Sequence, residues 1–352
     1  MAIRNKMLSL KIDALLISNY YNILYLSGFK TLVDNEREAW LLITKKGEYI
    51  FTDNRYASSA HNIRYISSEK RLTKHIQEIV DEEEIKTIGF EAEDLKFLEY
   101  EAFKKNIDSA ELIPTEKLTM KLREVKEGYE ISKIKNACRI SDLCLEEIIK
   151  TVAIGKTEKE IAFNIEFWLK KRGYDLAFYP IIAVDENSAI PHYDTRGGNN
   201  RKIRAGSIIL IDFGAKHEDY LSDMTRMVFV GRPENQIADS YEKLLQVQKK
   251  SISRINSESI LKNVDLYCRK TLDEDGLPNF SHSTGHGVGL EIHEMPKVSP
   301  LGVDRKKEGQ VITIEPGVYL PGKWGMRIED TVLVGKLGAE TLTKSSKKLL
   351  VI

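Results

Sequence analysis

The residue types with chemical reach in this chain gather in three places. Asp212 and Asp223 form one pair, Glu315 and Glu329 a second, and between them lies the run HSTGHGVGLEIHE at 282–294. Three of the seven histidines, His282, His286 and His293, fall in that run, interleaved with Gly285, Gly287 and Gly289. Glycines at that density let backbone pass close to whatever the imidazoles face. Buried carboxylates are costly unless a counter-charge neutralises them. A divalent cation is such a charge, and four carboxylates formally balance two of them. Oxygen donors with a single imidazole suit Mn²⁺, Co²⁺, Fe²⁺ or Zn²⁺, whereas a structural zinc site would use thiolates.

Two rival readings of the 282–294 run fail on spacing. A GxGxxG phosphate loop needs a third glycine where Leu290 stands, and no helix start follows. A zincin HExxH helix fails because His293-Glu294 runs into Met295-Pro296-Lys297, and Pro296 would break the helical turn.

The acids sit at the ends of the strongest strand patterns. Residues 207–213 and 310–315 are β-branched runs, each ending in a carboxylate just before a turn former, Gly214 in one and Pro316-Gly317 in the other. Each is followed by a polar or glycine-rich connection and a second acid, so each half reads as a hairpin offering two carboxylates. The parallel hints at an internal duplication. Amphipathic helices punctuate the same region, one opened by the capping box Thr157-Glu158-Lys159-Glu160 and stopped by Gly173, one over 235–255, and one over 263–275 with Gly276 as its stop. The charged stretch 119–151, with its stripe of Ile131, Ile134, Ala137, Cys138, Ile140, Ser141 and Leu145, reads as one helix joining two domains.

Upstream, short apolar runs at 14–17, 40–43, 49–52, 87–90 and 111–113, spaced by helix-like segments such as 73–83, predict a self-contained α/β domain without a catalytic cluster. His61 and His75 stand among polar neighbours there and are expected to be solvated, and Asp53-Asn54-Arg55 reads as a strand-ending turn.

Lys plus Arg and Asp plus Glu each total 53, which leaves no basic excess to draw in nucleic acid or an anionic membrane. A small, roughly neutral molecule is the expected partner. Cys138, Cys144 and Cys268 form no CxxC pair, so reduced thiols in a cytoplasm are expected. The run MAIRNKMLSLKIDALLIS has no apolar core of secretory length, and nothing approaches the roughly 20 apolar residues of a membrane span.

Six motifs in order then carry a resemblance: NSAIPH (187–192), IDFG (211–214), SDMTR (222–226), HSTGHGVGL (282–290), EPGVY (315–319) and RIED (327–330). Together they resemble the Xaa-Pro aminopeptidase and prolidase family of pita-bread metallopeptidases, peptidase family M24. NILYLSGF (22–29) and LREVK (122–126) extend the likeness over nearly the whole chain. The fold this implies is α/β (α+β): a creatinase-like N-terminal domain over 1–121, then a pita-bread catalytic domain over 122–352 with a curved, mainly antiparallel sheet and an internal pseudo-two-fold duplication.

By the same resemblance, Asp212 is expected to ligate one metal, His286 and Glu315 the other, and Asp223 and Glu329 both. Mn²⁺ or Co²⁺ is the expected pair, with Zn²⁺ or Fe²⁺ as alternatives. Two dications sharing a water lower its pKa from 15.7 towards about 7, which makes hydroxide attack feasible at neutral pH. Glu315 is implied as the proton shuttle, His192 and His293 as donors to the oxyanion, and His282 and Arg327 as groups beside the substrate or behind the ligands. Arg226 could equally be a structural partner for nearby acids. Phe178, Tyr179 and Tyr193 lie near the motif that could shape a proline pocket. The implied substrate is a peptide or dipeptide with proline second, and a homodimer is expected. The alternatives are a pita-bread aminopeptidase of other specificity, such as a methionine aminopeptidase-like enzyme, and a non-catalytic binding module.

Overall fold

The computed structural model describes residues 2–33, 36–56, 62–255, 260–303, 305–336 and 338–352. The chain divides into two compact units, Met1–Arg123 and Glu124–Ile352.

The first unit is built on β1 (Ala14–Ile17), β2 (Ala39–Thr44), β3 (Glu48–Thr52), β4 (Ile63–Tyr65), β5 (Thr87–Glu91) and β6 (Glu111–Thr115), in the order β4-β3-β2-β1-β5-β6. Its helices are α1 (Ala2–Leu10), α2 (Tyr20–Ser27), α3 (Leu72–Glu83), α4 (Phe97–Asn106) and α5 (Met120–Arg123). β1 is apolar throughout because it is covered on both sides: Ala14 and Leu16 enter one core cluster, Leu15 and Ile17 the other. Each of the buried leucines and the isoleucine contributes about 1.5–3 kcal/mol.

One expectation fails in this unit. His75 is buried on the inner face of α3, its ring 6.0 Å from that of Phe51 and its Nε2 3.0 Å from Tyr65 O. The helix places it on the same stripe as Ile76, Ile79 and Val80, and its polar sequence neighbours point elsewhere. His61 lies outside the described residues. The Asp53 turn forms, with Asp53 Oδ1 accepting from Arg55 N at 2.9 Å.

The second unit repeats one pattern twice. Its first half runs α6 (Gly128–Ile149), α7 (Glu158–Lys171), β7 (Asp175–Leu176), β8 (Ile181–Val184), β9 (Ile208–Phe213), β10 (Ala215–His217), β11 (Tyr220–Leu221) and β12 (Met224–Phe229). Its second half runs α8 (Asn235–Ser253), α9 (Leu261–Glu274), β13 (Gly285–Gly287), β14 (Glu294–Val298), β15 (Val311–Ile314), β16 (Gly317–Leu320), β17 (Trp324–Arg327) and β18 (Asp330–Val334). β19 (Ala339–Thr341) and β20 (Leu350–Val351) close the chain. The two main sheets, β20-β12-β9-β8 and β14-β13-β15-β18-β19, are antiparallel except where β20 joins β12. This is the curved, mainly antiparallel, internally duplicated sheet expected.

Two details differ from expectation. The acid-bearing strands are not simple hairpins: β9 pairs with β12 and β15 with β18, and the small hairpins β10-β11 and β16-β17 are inserted at their ends. The single helix expected over 119–151 is broken at 124–127. There Lys126 N donates to Gly309 O at 2.9 Å, and Glu124 accepts from Lys307 Nζ and Gln310 Nε2 at 2.7 and 2.6 Å. Strand-like contacts to the start of β15 replace helical ones, and Glu127 then caps α6. Ile131 falls off the buried stripe, while Cys144 joins it.

Strand alternation decides what faces the site. Ile209 and Ile211 enter the cluster with α6 and α7. Ile208 and Leu210 turn to the other face, which includes Val318, Met326 and Ile328 of the second half. Asp212 shares the face of 208 and 210 and therefore points toward that second half.

Candidate metal centre

All nine residues singled out from sequence line one cavity of about 130 Å³: Asp212, Asp223, His286, Glu315 and Glu329, with His192, His282, His293 and Arg327. Asp212 is the penultimate residue of β9 and Asp223 directly precedes β12. Glu315 directly follows β15, and Glu329 directly precedes β18. The strand register Asp212↔Thr225 and Ile314↔Asp330 sets both pairs at corresponding ends of the duplicated strands. Gly214 and Gly285 permit the close approach. A Cβ there would lie 1.8 Å from Ser222 O and 1.9 Å from Thr313 O respectively, so no side chain fits.

Asp223, His286 and Glu329 are the tightest group, with donor atoms all within 4.8 Å of one another. Glu315 Oε1 stands 3.4 Å from His286 Nε2, and Asp223 Oδ2 stands 3.7 Å from it. His286 Nδ1 donates to Gly287 O at 3.1 Å, which leaves Nε2 a lone pair facing the acids. Burial holds this imidazole neutral, with its pKa pulled down to about 3. Burial, then the neighbouring carboxylates, pushes Asp223 well above its usual range, and the same causes act on Glu329. Burial raises Asp212 and takes Glu315 up to about 7.

These residues fit a divalent metal. Asp212 Oδ1 and Asp223 Oδ1 are buried without a hydrogen-bond partner among the described residues, in a cavity that also offers two more carboxylates and an imidazole lone pair. Buried polar atoms are normally satisfied, and a hard cation satisfies several carboxylate oxygens at once.

A network behind the acids orients them. Arg327 Nη2 donates to Asp212 Oδ2 at 2.5 Å, its Nε to Thr225 Oγ1 at 3.0 Å, and its Nη1 to Tyr319 Oη at 2.9 Å and Pro191 O at 3.1 Å. Thr225 Oγ1 donates onward to Glu329 Oε2 at 2.7 Å. His282 donates from Nδ1 to Ser283 O at 2.8 Å, so its Nε2 accepts from Tyr319 Oη at 3.0 Å. Burial opposes the charge on Arg327, but Tyr319, Asp212, Glu315 and Glu329 outweigh it and hold the guanidinium charged.

His192 and His293 are exposed at the rim of the cavity, and the His293 ring stands edge-on to that of His286 at 4.4 Å. Of the three aromatics near the first motif, Phe178 alone lines the cavity. Tyr193 is buried and donates to Glu158 Oε2 at 2.9 Å, and Tyr179 lies under Arg196. Arg226 takes its structural alternative: its Nη2 meets Asp330 Oδ1 at 2.7 Å, and it does not line the cavity.

Thr225 and Tyr319 were given no role from sequence although the motifs contain both. The available signal is the two-residue period: Thr225 follows Asp223 by two residues and shares its side of the strand.

Profiles of known families match both parts of the chain, the Metallopeptidase family M24 over 132–336 and the Creatinase/Prolidase N-terminal domain over 1–125. The chain belongs to metallopeptidase family M24. Among its relatives in that family is the Xaa-Pro dipeptidase of Pyrococcus horikoshii, 35% identical over 344 residues, which are 96% of this chain and 95% of the relative. Among solved structures, the Xaa-Pro dipeptidase from Bacillus anthracis superposes with a TM-score of 0.92 at 32% identity, covering 100% of this chain and 98% of that one. The X-Pro aminopeptidase from Thermotoga maritima gives 0.88 at 31% identity, covering 99% and 100%. This M24 member carries no helix among its described residues long and apolar enough to cross a membrane.

Proposed function

We propose that this M24 member is a peptidase hydrolysing the Xaa-Pro bond of dipeptides or of peptide N-termini, with two divalent ions, Mn²⁺ or Co²⁺ ahead of Zn²⁺ or Fe²⁺. The observation that carries the reading is the convergence of four carboxylates and one neutral imidazole on one cavity, with two carboxylate oxygens that find no hydrogen-bond partner among the described residues. The similarity to Xaa-Pro dipeptidases and an X-Pro aminopeptidase supports the proline specificity.

In this reading Asp212 would hold one ion, His286 and Glu315 the other, and Asp223 and Glu329 would serve both. Bound there, the ions supply Lewis acidity to the scissile carbonyl and an acidified water. The chain's own residues do the rest. Glu315 accepts the proton of the attacking water on its carboxylate and returns it to the leaving nitrogen. A secondary amine such as proline must leave protonated. His192 and His293, at the rim, donate to the developing oxyanion. Arg327 fixes Asp212 and stays charged beside it. We also propose a creatinase-like domain over 1–121, a catalytic domain over 122–352, a homodimer and a cytoplasmic location.

The test is a substrate-length panel, Xaa-Pro dipeptides beside Xaa-Pro-Yaa tripeptides, assayed after chelation with Mn²⁺, Co²⁺ or Zn²⁺ added back. Turnover restored on dipeptides alone identifies a dipeptidase and turnover on tripeptides an aminopeptidase. No metal-restored turnover on either refutes the proposal, and faster cleavage of Met-Ala-Ser moves the specificity elsewhere in the family.

A further inference from the structure

The three alternating glycines meet different neighbours. At Gly285 and Gly287 a Cβ would strike strand backbone, Thr313 O at 1.9 Å and Met295 O at 2.2 Å. At Gly289 it would strike a carboxylate, Glu294 Oε1, at 2.4 Å. That carboxylate is folded back over its own loop. Its Oε2 accepts from Glu291 N at 3.4 Å, Gly289 N donates to Glu291 O at 3.2 Å, and Gly289 O accepts from Leu221 N at 2.9 Å. Ile292 and His293, at the far side of the loop, line the cavity.

One partner of Glu294 comes from far away in sequence. Lys126 Nζ donates to Glu294 Oε1 at 2.6 Å, and the two side chains are 1% and 4% exposed. Lys126 is itself anchored through its N–H to Gly309 O, and Glu124 two residues earlier binds Lys307 and Gln310 at the lead into β15, the strand that ends at Glu315. The ammonium also faces Glu130, which accepts from Tyr220 Oη at 2.9 Å.

A fully buried ion pair contributes little net stability, because desolvation offsets its attraction, and an apolar pair of the same volume would often serve as well. What it supplies here is one defined position for a loop that has only a few backbone bonds of its own. We propose that Lys126 is a positioning residue for the reaction: by neutralising and locating Glu294 it keeps the 289–294 loop closed, so that Ile292 and His293 hold their places in the cavity wall. The inference rests on the reading of His293 as a donor to the reacting carbonyl.

Lys126→Met alone removes one partner of a buried carboxylate and risks unfolding, so the working variant is the pair Lys126→Met/Glu294→Gln, which removes both charges of the ion pair together. Hydrogen exchange reads the loop directly, and a double-mutant cycle against His293→Ala reads its effect on the reaction. The pair variant is expected to exchange faster over 289–294 while Mn²⁺ affinity holds, and to lose about 10- to 100-fold in kcat/KM on an Xaa-Pro substrate. In the His293→Ala background it should change kcat/KM by less than about twofold, because both changes remove one contribution. Unchanged exchange overturns the clamp whatever His293 does. A full loss on top of His293→Ala overturns the route through His293. Faster exchange beside a His293→Ala enzyme of wild-type kcat/KM leaves the clamp standing and refutes the role of His293 instead.

Discussion

Thr225→Val tests whether the residues behind the acids set their affinity for metal. Thr225 is fully buried, and its hydroxyl joins Arg327 to Glu329, accepting at 3.0 Å and donating at 2.7 Å. Valine keeps the volume and removes both bonds. Each bond involves a charged partner and is worth about 1.5–3 kcal/mol, and Arg327 Nε would be left buried without this acceptor. Not all of that reaches the metal, because part of it weakens the metal-free protein as well. The loss expected in affinity is therefore that of a group orienting a ligand, about 10- to 100-fold, equivalent to about 1.4–2.8 kcal/mol by the usual conversion. The measurement is calorimetric titration of the chelated protein with Mn²⁺, with Co²⁺ absorption as a second probe and circular dichroism to check folding. Thr225→Ser, which keeps the hydroxyl, should bind like the parent. A folded Thr225→Val protein with parental affinity for both ions would show that the Arg327–Thr225–Glu329 chain has no part in presenting Glu329.

Chelation should abolish hydrolysis and lower Tm, and Mn²⁺ at a hundred times its Kd should restore about 2.7 kcal/mol, seen as a Tm that climbs with metal concentration. Arg226→Met removes one of the two cations on buried Asp330 and leaves Lys347, so a cost near the lower end for a broken buried pair, about 3 kcal/mol, is expected in urea unfolding. Burial lowers the pKa of His75 below its ordinary 6.5, so the unfolded chain binds the extra proton first. Its contribution is complete above 6.5 and is lost as pH falls through the lowered value, and His75→Gln should flatten the Tm profile in that window.

The acids and imidazoles that line the cavity were legible in the chain before folding, because they stand among turn formers at strand ends. Asp212 before Gly214, Glu315 before Pro316-Gly317 and His286 between glycines are chemistry written as local punctuation. Secondary structure was legible for the same local reason: the box at Thr157 caps α7, and the apolar run at 14–17 is β1. Burial and partnership were not. His75 looks solvated among polar neighbours until α3 turns it inward, and the stretch 119–151 reads as one helix until Glu124 and Lys126 find partners near 309. Whether Arg226 or Arg327 serves the site depends on which face each presents. Arg327 reaches Asp212 across 115 positions, while Arg226, beside Thr225, turns the other way to Asp330. Neighbouring residues on a strand point to opposite sides, so a shift of one position exchanges the two roles, and that register is decided only when distant strands pair.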